Sequence, residues 1–257
     1  MATLTEKRLA VLFPPCGAEY EYYLYGERLS PELRVSLMGA RYHGGDEEHF
    51  PENMRITASL ANVLQAARVM KPLQPDGLMW ACTSGSFISG LAHAQAQARA
   101  IEAELGCPAS STSLAFVDAL HDRGIRKAVV LGSYPEQTTH AFMNFMHDAG
   151  IEVCDFCALD TPSGPHAADL GDDVLLAAAE SLHAPKDAAI LVPDTAIPTL
   201  HLIAQLQART DRLVLTANQV SLWQSAKLLG LVVSLDEIAV SVHESASRKA
   251  TTVAVSP

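Results

Sequence analysis

A thiol set between an apolar run and a cluster of hydroxyls and glycine is the most reactive-looking feature of the chain: Gly77-Leu78-Met79-Trp80-Ala81-Cys82-Thr83-Ser84-Gly85-Ser86-Phe87. The apolar run predicts a buried strand ending at the thiol, and an Ala-rich helical pattern begins a few residues later. In an open parallel sheet, ligands bind beyond the carboxyl ends of the strands, so a side chain at Cys82 faces the place a substrate would take. Backbone N–H groups of the Thr83 to Ser86 turn can bind a carboxylate, because the first amides of a helix lack partners and carry partial positive charge. The same field predicts a lowered cysteine pKa and a thiolate. An isolated cysteine is more often a buried structural residue; the polar turn directly after the strand favours a functional thiol here.

Other candidate sets are weaker. Five cysteines, at 16, 82, 107, 154 and 157, are an odd number at irregular spacing, which fits reduced thiols better than a disulfide framework. Cys154 and Cys157 form a C-x-x-C with no second pair, and read as a strand with one outward and one inward thiol. His43 and His49 lie with Asp46, Glu47 and Glu48 in Gly39 to Pro51, whose glycines and charges predict a solvated loop or lid. The spacing of those histidines matches no helical i, i+4 ligand pair, and His93, His121, His140, His147 and His201 read as surface or packed residues, so no metal site is predicted. There is no G-x-G-x-x-G and no G-x-x-x-x-G-K-[ST], which argues against a nucleotide cofactor. Gly85-Ser86-Phe87 does not make the G-x-S-x-G of a serine hydrolase elbow.

The elements that must position Cys82 are those of an α/β enzyme. Of 257 residues 49% are apolar and 6% aromatic, and alanine is abundant. A net charge of -11 argues against nucleic acid as a partner, since phosphate neutralisation needs clustered Lys and Arg. It does not exclude a small anionic substrate, because local donors decide that. No run approaches the roughly 18 to 20 apolar residues of a membrane span. Met1 to Arg8 lacks the apolar core of a signal peptide, which predicts a cytoplasmic protein.

In chain order, Arg8 to Phe13 reads as a buried strand stopped by Pro14-Pro15-Cys16-Gly17, and Glu19 to Ser30 as helix or loop. Leu33 to Met38 reads as a second strand, and Glu52 to Met70 as one amphipathic helix. Gln74-Pro75-Asp76-Gly77 breaks that helix before the central strand. Ser89 to Leu105, closed by Gly106, and Leu114 to Asp122 are further helices. The pattern then starts again. Lys127 to Leu131 with Gly132-Ser133-Tyr134 answers Arg8 to Leu12 with its Pro14-Pro15 turn, and Asp187 to Val192 with Pro193-Asp194-Thr195 answers Asp76 to Ala81 with Cys82-Thr83. A helix over Pro198 to Thr210 and a strand over Arg212 to Leu215 lead to Thr216-Ala217-Asn218-Gln219, which answers Ser111-Thr112-Ser113. Ser221 to Leu231 is a last helix, crossing back to the first half, in which Trp223 belongs to the core.

Two copies of one βαβ arrangement, about 120 residues apart, predict two pseudo-symmetric Rossmann-like, flavodoxin-like α/β lobes with parallel sheets and an active site in the cleft between them. Residues 1–122, completed by 221–244, would form the first lobe, 123–220 the second, and 245–257 a tail. Cys82 and Asp194 would then face each other from opposite sides of one substrate.

This repeat, with a strand-end Cys82-Thr83-Ser84-Gly85-Ser86 in its first half, resembles the aspartate/glutamate racemase superfamily, and within it the branch holding maleate cis-trans isomerase and arylmalonate decarboxylase. The resemblance runs from Pro14-Pro15 through Cys82-Thr83-Ser84, Gly132-Ser133-Tyr134 and Asp194-Thr195 to Asn218-Gln219 and Trp223. Each motif is short; their order and spacing together carry the match. It implies a cofactor-free reaction at the carbon next to a carboxylate, worked by thiols on opposite faces of the substrate. Racemases of this kind have both thiols, arylmalonate decarboxylase keeps the second, and maleate isomerase uses the first as a nucleophile. Cys82 takes the first thiol's position. Tyr134 takes that of a tyrosine bonding a substrate carboxylate, the Pro14 and Pro15 turn with Thr83 and Ser84 supplies oxyanion and carboxylate donors, and Thr195 and Asn218 join the substrate site.

The departure from the family lies at Asp194, which stands where the second cysteine is usual. Racemisation by two thiols is therefore not available. An aspartate can exchange a proton if burial raises its pKa, or it can stay ionised and orient water or a substrate group. The expected function is a cofactor-independent isomerase or racemase-like enzyme on a small carboxylic or dicarboxylic acid, with Cys82 as nucleophile or proton donor. A decarboxylase in which Cys82 protonates from the face opposite to the usual one is the second expectation. A non-catalytic carboxylate-binding protein is the third. The Ala-rich helical surface predicts a homo-oligomer, a dimer.

Overall fold

A computed structural model describes residues 6–15, 17–29 and 33–238. Cys16, the predicted tail 245–257 and the end of the segment 221–244 lie outside the described residues. The first sheet is built from β1 (Lys7–Phe13), β2 (Leu33–Gly39), β3 (Gly77–Trp80) and β4 (Ala109–Ser111), in the order β2-β1-β3-β4. The second repeats it with β5 (Lys127–Gly132), β6 (Glu152–Ala158), β7 (Ala188–Val192) and β8 (Val214–Thr216), in the order β6-β5-β7-β8. All pairings are parallel. The internal repeat read in the sequence is thus a repeat of topology, one sheet per half.

The helices are α1 (Tyr20–Leu29), α2 (Pro51–Thr57), α3 (Leu60–Met70), α4 (Ser84–Phe87), α5 (Leu91–Leu105), α6 (Thr112–Asp122), α7 (Glu136–Asp148), α8 (Gly164–Ala168), α9 (Asp172–Ser181), α10 (Ile203–Thr210) and α11 (Ala217–Leu228). Three differ from expectation. The single helix expected over Glu52 to Met70 is two, broken at Ala58-Ser59, which leaves Ile56 and Leu60 exposed. The helix expected from Pro198 begins only at Ile203, after turns at 199–202. The last helix begins earlier, with Thr216 as its N-cap, so Asn218 and Gln219 sit in its first turn. Helix α11 packs on α6, β3 and β4, with Trp223 buried.

Side-chain alternation explains why the strands are apolar throughout. Leu9, Val11 and Met79 point to one face, where they join Phe116, Phe142, Val130, Leu191 and Trp223 in a core that runs through both lobes. Ala10, Leu12, Leu78 and Trp80 point to the other, under Val63, Ala67, Met70 and Ile101. The second sheet has its own outer cluster of Val129, Leu131, Ile190 and Val192 under Leu175 and Leu206. Parallel strands covered on both faces need no polar face. Among the described residues, no helix is long and apolar enough to cross a membrane.

Polar contacts also tie the lobes. Glu21 of α1 is buried, and its carboxylate accepts from the Leu200 N–H at 2.9 Å and from the Asn218 amide at 2.6 Å. Tyr22 donates to the other end of that amide at 3.2 Å. Burial pushes the Glu21 carboxyl up from 4.5 to about 7, against the pull of those hydrogen bonds. A carboxyl raised in the folded state binds more protons there than in the unfolded chain, so its stabilising contribution is present below about pH 4.5 and is lost as pH rises through about 7, an effect of about 3 kcal/mol. Urea unfolding between pH 5 and 8 should therefore show stability falling with pH, and Glu21→Gln should flatten that slope. An unchanged slope in the variant would refute the assignment.

Candidate active site

Strand register places the candidate residues. Leu12 pairs with Trp80, so two residues on Pro14 stands beside Cys82; Val130 pairs with Leu191, so three residues on Ser133 stands beside Asp194. In each sheet the chain leaves the first strand toward one neighbour and later returns on its other side, which makes the gap between β1 and β3, and between β5 and β7, the switch point where ligands bind.

The Cys82 turn is held tightly. Ser86 donates to the carbonyls of Cys82 (2.8 Å) and Thr83 (3.0 Å), Ser113 donates to the Thr83 carbonyl (2.9 Å), and Gln97 reaches the Gly85 carbonyl (3.3 Å). The small polar residues after the strand thus brace the turn as well as line it. The Gly85 N–H points at Cys82 Sγ at 3.1 Å and the Ser84 hydroxyl lies 3.6 Å from it. A lowered pKa is expected from such donors, but the opposite is found: burial pushes the thiol up to about 12, and the neighbouring Glu48 and Asp194 add to the rise while Ser84 and Gly85 only moderate it. Cys82 is 2% exposed, and a desolvated thiolate beside two acids loses more than two donors return. The Thr83 hydroxyl is buried and has no hydrogen-bond partner among the described residues.

On the second-lobe side, Asp194 is 5% exposed. Its Oδ2 accepts from the Ser133 hydroxyl at 2.5 Å and its Oδ1 from the Ala196 N–H at 2.9 Å. Tyr134 is buried and packs edge-on against Phe87, the residue closing the Cys82 turn, with ring centroids 5.7 Å apart. Pro14 and Thr195 are buried, whereas Pro15 is exposed. Asn218 is buried with its amide bonded to Glu21, Tyr22 and the carbonyls of Thr195 and Ile197. Asp194 is near enough to Cys82 for its charge to raise the thiol's pKa, which puts the two predicted catalytic residues in one neighbourhood.

The loop Gly39 to Pro51 departs most from expectation. Its end is not solvated: Glu48 and His49 are buried and reach across to the second lobe. The His49 N–H donates to the Pro162 carbonyl (2.8 Å), and Thr138 donates to the His49 carbonyl (2.8 Å). The His49 ring stands edge-on to Tyr134, with centroids 4.8 Å apart, and its Nε2 lies 3.7 Å from Asp194 Oδ2. Glu48 accepts from the Gly164 N–H at 3.2 Å, and burial pushes its carboxyl up to about 7. Two acids, a histidine and a thiol therefore share this site, and two of the four were not expected there. Glu21, too, was missed as a buried residue, although Glu21, Tyr22, Tyr25 and Gly26 share one buried face of α1, a helical period visible in the sequence.

A protein-family model described as arylmalonate decarboxylase matches residues 53–239, well over half of the chain. Among solved structures, a cysteine-to-alanine variant of a maleate isomerase from Pseudomonas putida, with maleate, superposes with a TM-score of 0.82 at 17% identity, over 93% of this chain and 98% of that one. A Nocardia farcinica maleate cis-trans isomerase variant with a covalently bound succinylcysteine intermediate gives 0.78 at 17% identity, over 88% of this chain and 93% of that one. A double variant of arylmalonate decarboxylase in its liganded form gives 0.74 at 21% identity, over 87% and 93%. At such identities the likeness is one of fold, and it bears out the two-lobed α/β architecture. No curated protein matches the sequence.

Proposed function

We propose, for a chain that belongs to the arylmalonate decarboxylase family, a cofactor-independent enzyme that acts at the carbon next to a carboxylate of a small carboxylic acid, with Cys82 working from the first-lobe side and Asp194 from the second. The observation that carries this reading is a thiol and a carboxyl group, each buried at a strand end of a different lobe and linked through the Phe87–Tyr134–His49 ring contacts, near enough for the charge of Asp194 to raise the thiol's pKa. Loss of a proton or of CO2 from that carbon leaves an enediolate-like anion, and prepositioned donors stabilise it. The buried Thr83 hydroxyl and the Tyr134 side chain are the donors we assign to the substrate carboxylate.

Magnitude favours one role for Cys82. A thiol with a pKa of about 12 is protonated at neutral pH, and freeing the thiolate at pH 7 would cost on the order of 7 kcal/mol. Cys82 is therefore ready as a proton donor to the anion, whether that anion is left by CO2 or by an α-proton taken from the second-lobe side, where Asp194 stands. A second reading, nucleophilic addition to a double bond followed by rotation and elimination, draws support from Glu48. Its carboxyl titrates near 7 beside Cys82 and can take the thiol proton as the C–S bond forms.

The test is proton NMR in deuterium oxide with substituted malonates, 2-substituted monocarboxylates and maleate. Deuterium at the α-carbon, with or without CO2 release, supports the donor reading; conversion of maleate to its trans isomer supports the second. Binding of these acids with no exchange, isomerisation or CO2 release would leave a carboxylate-binding protein.

A further inference from the structure

We propose that His49 and Asp194 form a dyad that holds one mobile proton on the second-lobe side of the site and delivers it to the substrate carbon across from Cys82, His49 being the positioning residue through which Asp194 is kept supplied. The inference rests on the reading above, and it names what stands in for the second thiol.

Hydrogen bonding settles the tautomer. His49 Nδ1 lies 3.0 Å from the carbonyl oxygen of Thr161, which can only accept. Its other neighbour, the Thr161 hydroxyl at 3.3 Å, gives its own proton to the Ser133 carbonyl at 2.9 Å, so toward the ring it too can only accept. Nδ1 therefore carries the hydrogen, and in a neutral imidazole Nε2 carries the lone pair. That lone pair faces Asp194 Oδ2 at 3.7 Å, with both side chains buried. Two electron pairs confronting each other in a dry site repel; one proton, on either atom, turns the contact into attraction. The arrangement thus calls for an imidazolium beside a carboxylate or an imidazole beside a carboxylic acid.

Ser133 and the Ala196 N–H donate to Asp194, and the buried Glu48 lies near enough to feel its charge. Burial and the nearby His166 disfavour imidazolium at His49, and Asp194 favours it. Tyr134, edge-on to the His49 ring, and Cys82, from the first lobe, are the other titratable groups beside the dyad. In the reaction step, the anion's electron pair forms a C–H bond with the dyad proton. Imidazole and carboxylate are left, and water restores the proton after product leaves. The anion left by loss of CO2 can then be protonated from either face, and α-proton exchange runs when the dyad without its proton takes the α-proton and the Cys82 thiol, the one thiol at this site among the described residues, gives a proton from the other face.

The experiment is long-range proton–nitrogen NMR on protein labelled with 15N-histidine, with His49 assigned by its disappearance in His49→Gln. The expected result is Nδ1 protonated across the titration and an Nε2 signal whose midpoint moves by about one pH unit or more in Asp194→Asn. A bare Nδ1, or an Nε2 indifferent to Asp194→Asn, overturns the dyad. In turnover, His49→Gln and Asp194→Asn should each lower kcat about 10²-fold with KM within about threefold, and abolish the limb on which kcat falls as the dyad loses its proton. The double variant should be no slower than the slower single one. A wild-type pH profile in His49→Gln, where Cys82→Ala is inactive, removes the dyad and leaves the parent reading standing. If wild-type protein turns over none of the carboxylates, that reading falls and the nitrogen spectra alone decide the dyad.

Discussion

Replacing Cys82 with alanine is expected to lower kcat by at least about 10³-fold while carboxylate binding changes less than about threefold. In the proposed reaction the thiol gives a proton to, or bonds, the substrate carbon, and the backbone amides and hydroxyls around it serve binding. Cys82→Ser should be nearly as inactive, since a serine hydroxyl holds its proton more firmly than a thiol. The substitution removes one buried sulfur, so its stability cost should stay near 1 kcal/mol and leave the fold intact. The pH dependence adds a second check. Because burial holds the thiol protonated up to about 12, a proton-donating Cys82 contributes no falling limb to kcat below about pH 10. A nucleophilic thiolate would instead give a rate that climbs with pH. Activity of Cys82→Ala within tenfold of wild type would end the assignment.

Gly85→Ala should cost nearly as much activity through geometry alone. Gly85 lies in α4, where helix propensity favours alanine by roughly 1 kcal/mol. Packing opposes it: a Cβ built there would sit 2.8 Å from Cys82 Sγ and 2.8 Å from Cζ2 of Trp80. The indole is fully buried, packed beside Leu12 and Leu78 in the cluster that Met70 covers, with little room to retreat. The sulfur can move only by leaving the Gly85 N–H that holds it. Overpacking of this kind costs about 1 to 3 kcal/mol, which outweighs the propensity gain. A sulfur displaced by about 1 Å should lower kcat on the order of 10²-fold. Thermal unfolding and steady-state kinetics on the same preparation would show both effects, and wild-type turnover in Gly85→Ala would mean that the position of Sγ is unimportant.

The parts of this site that could be read from the chain are those announced by local pattern. A buried parallel strand is a continuous apolar run, and the turn after it is polar because it leaves the sheet. Cys82 and Asp194 each lie two residues past the end of such a strand, and the repeat of one half in the other tied them together. The helix break at Ala58-Ser59 and the late start of α10 were not visible, because apolar spacing continues across both.

Glu48 and His49 were hidden for a different reason. Their neighbours Gly44, Gly45, Asp46 and Glu47 make the segment look solvated, and nothing within it says otherwise. What buries them is the second lobe: Pro162, Thr161 and Thr138 take the main chain and ring of His49, and Gly164 takes Glu48. The charge state of Cys82 was misjudged on the same ground. The donors at the turn are local and argue for thiolate, while the desolvation and the two acids that overrule them come from elsewhere in the chain.

The amino-acid order alone therefore determined the two sheets, their duplication and the strand ends that present a thiol and a carboxyl group, since hydrophobic period and turn chemistry act over a few residues. Only the folded molecule decided that burial raises the thiol's pKa and that a histidine from a polar loop stands against Asp194. Burial and electrostatic contact depend on which distant segments exclude water, and no local stretch of sequence encodes that.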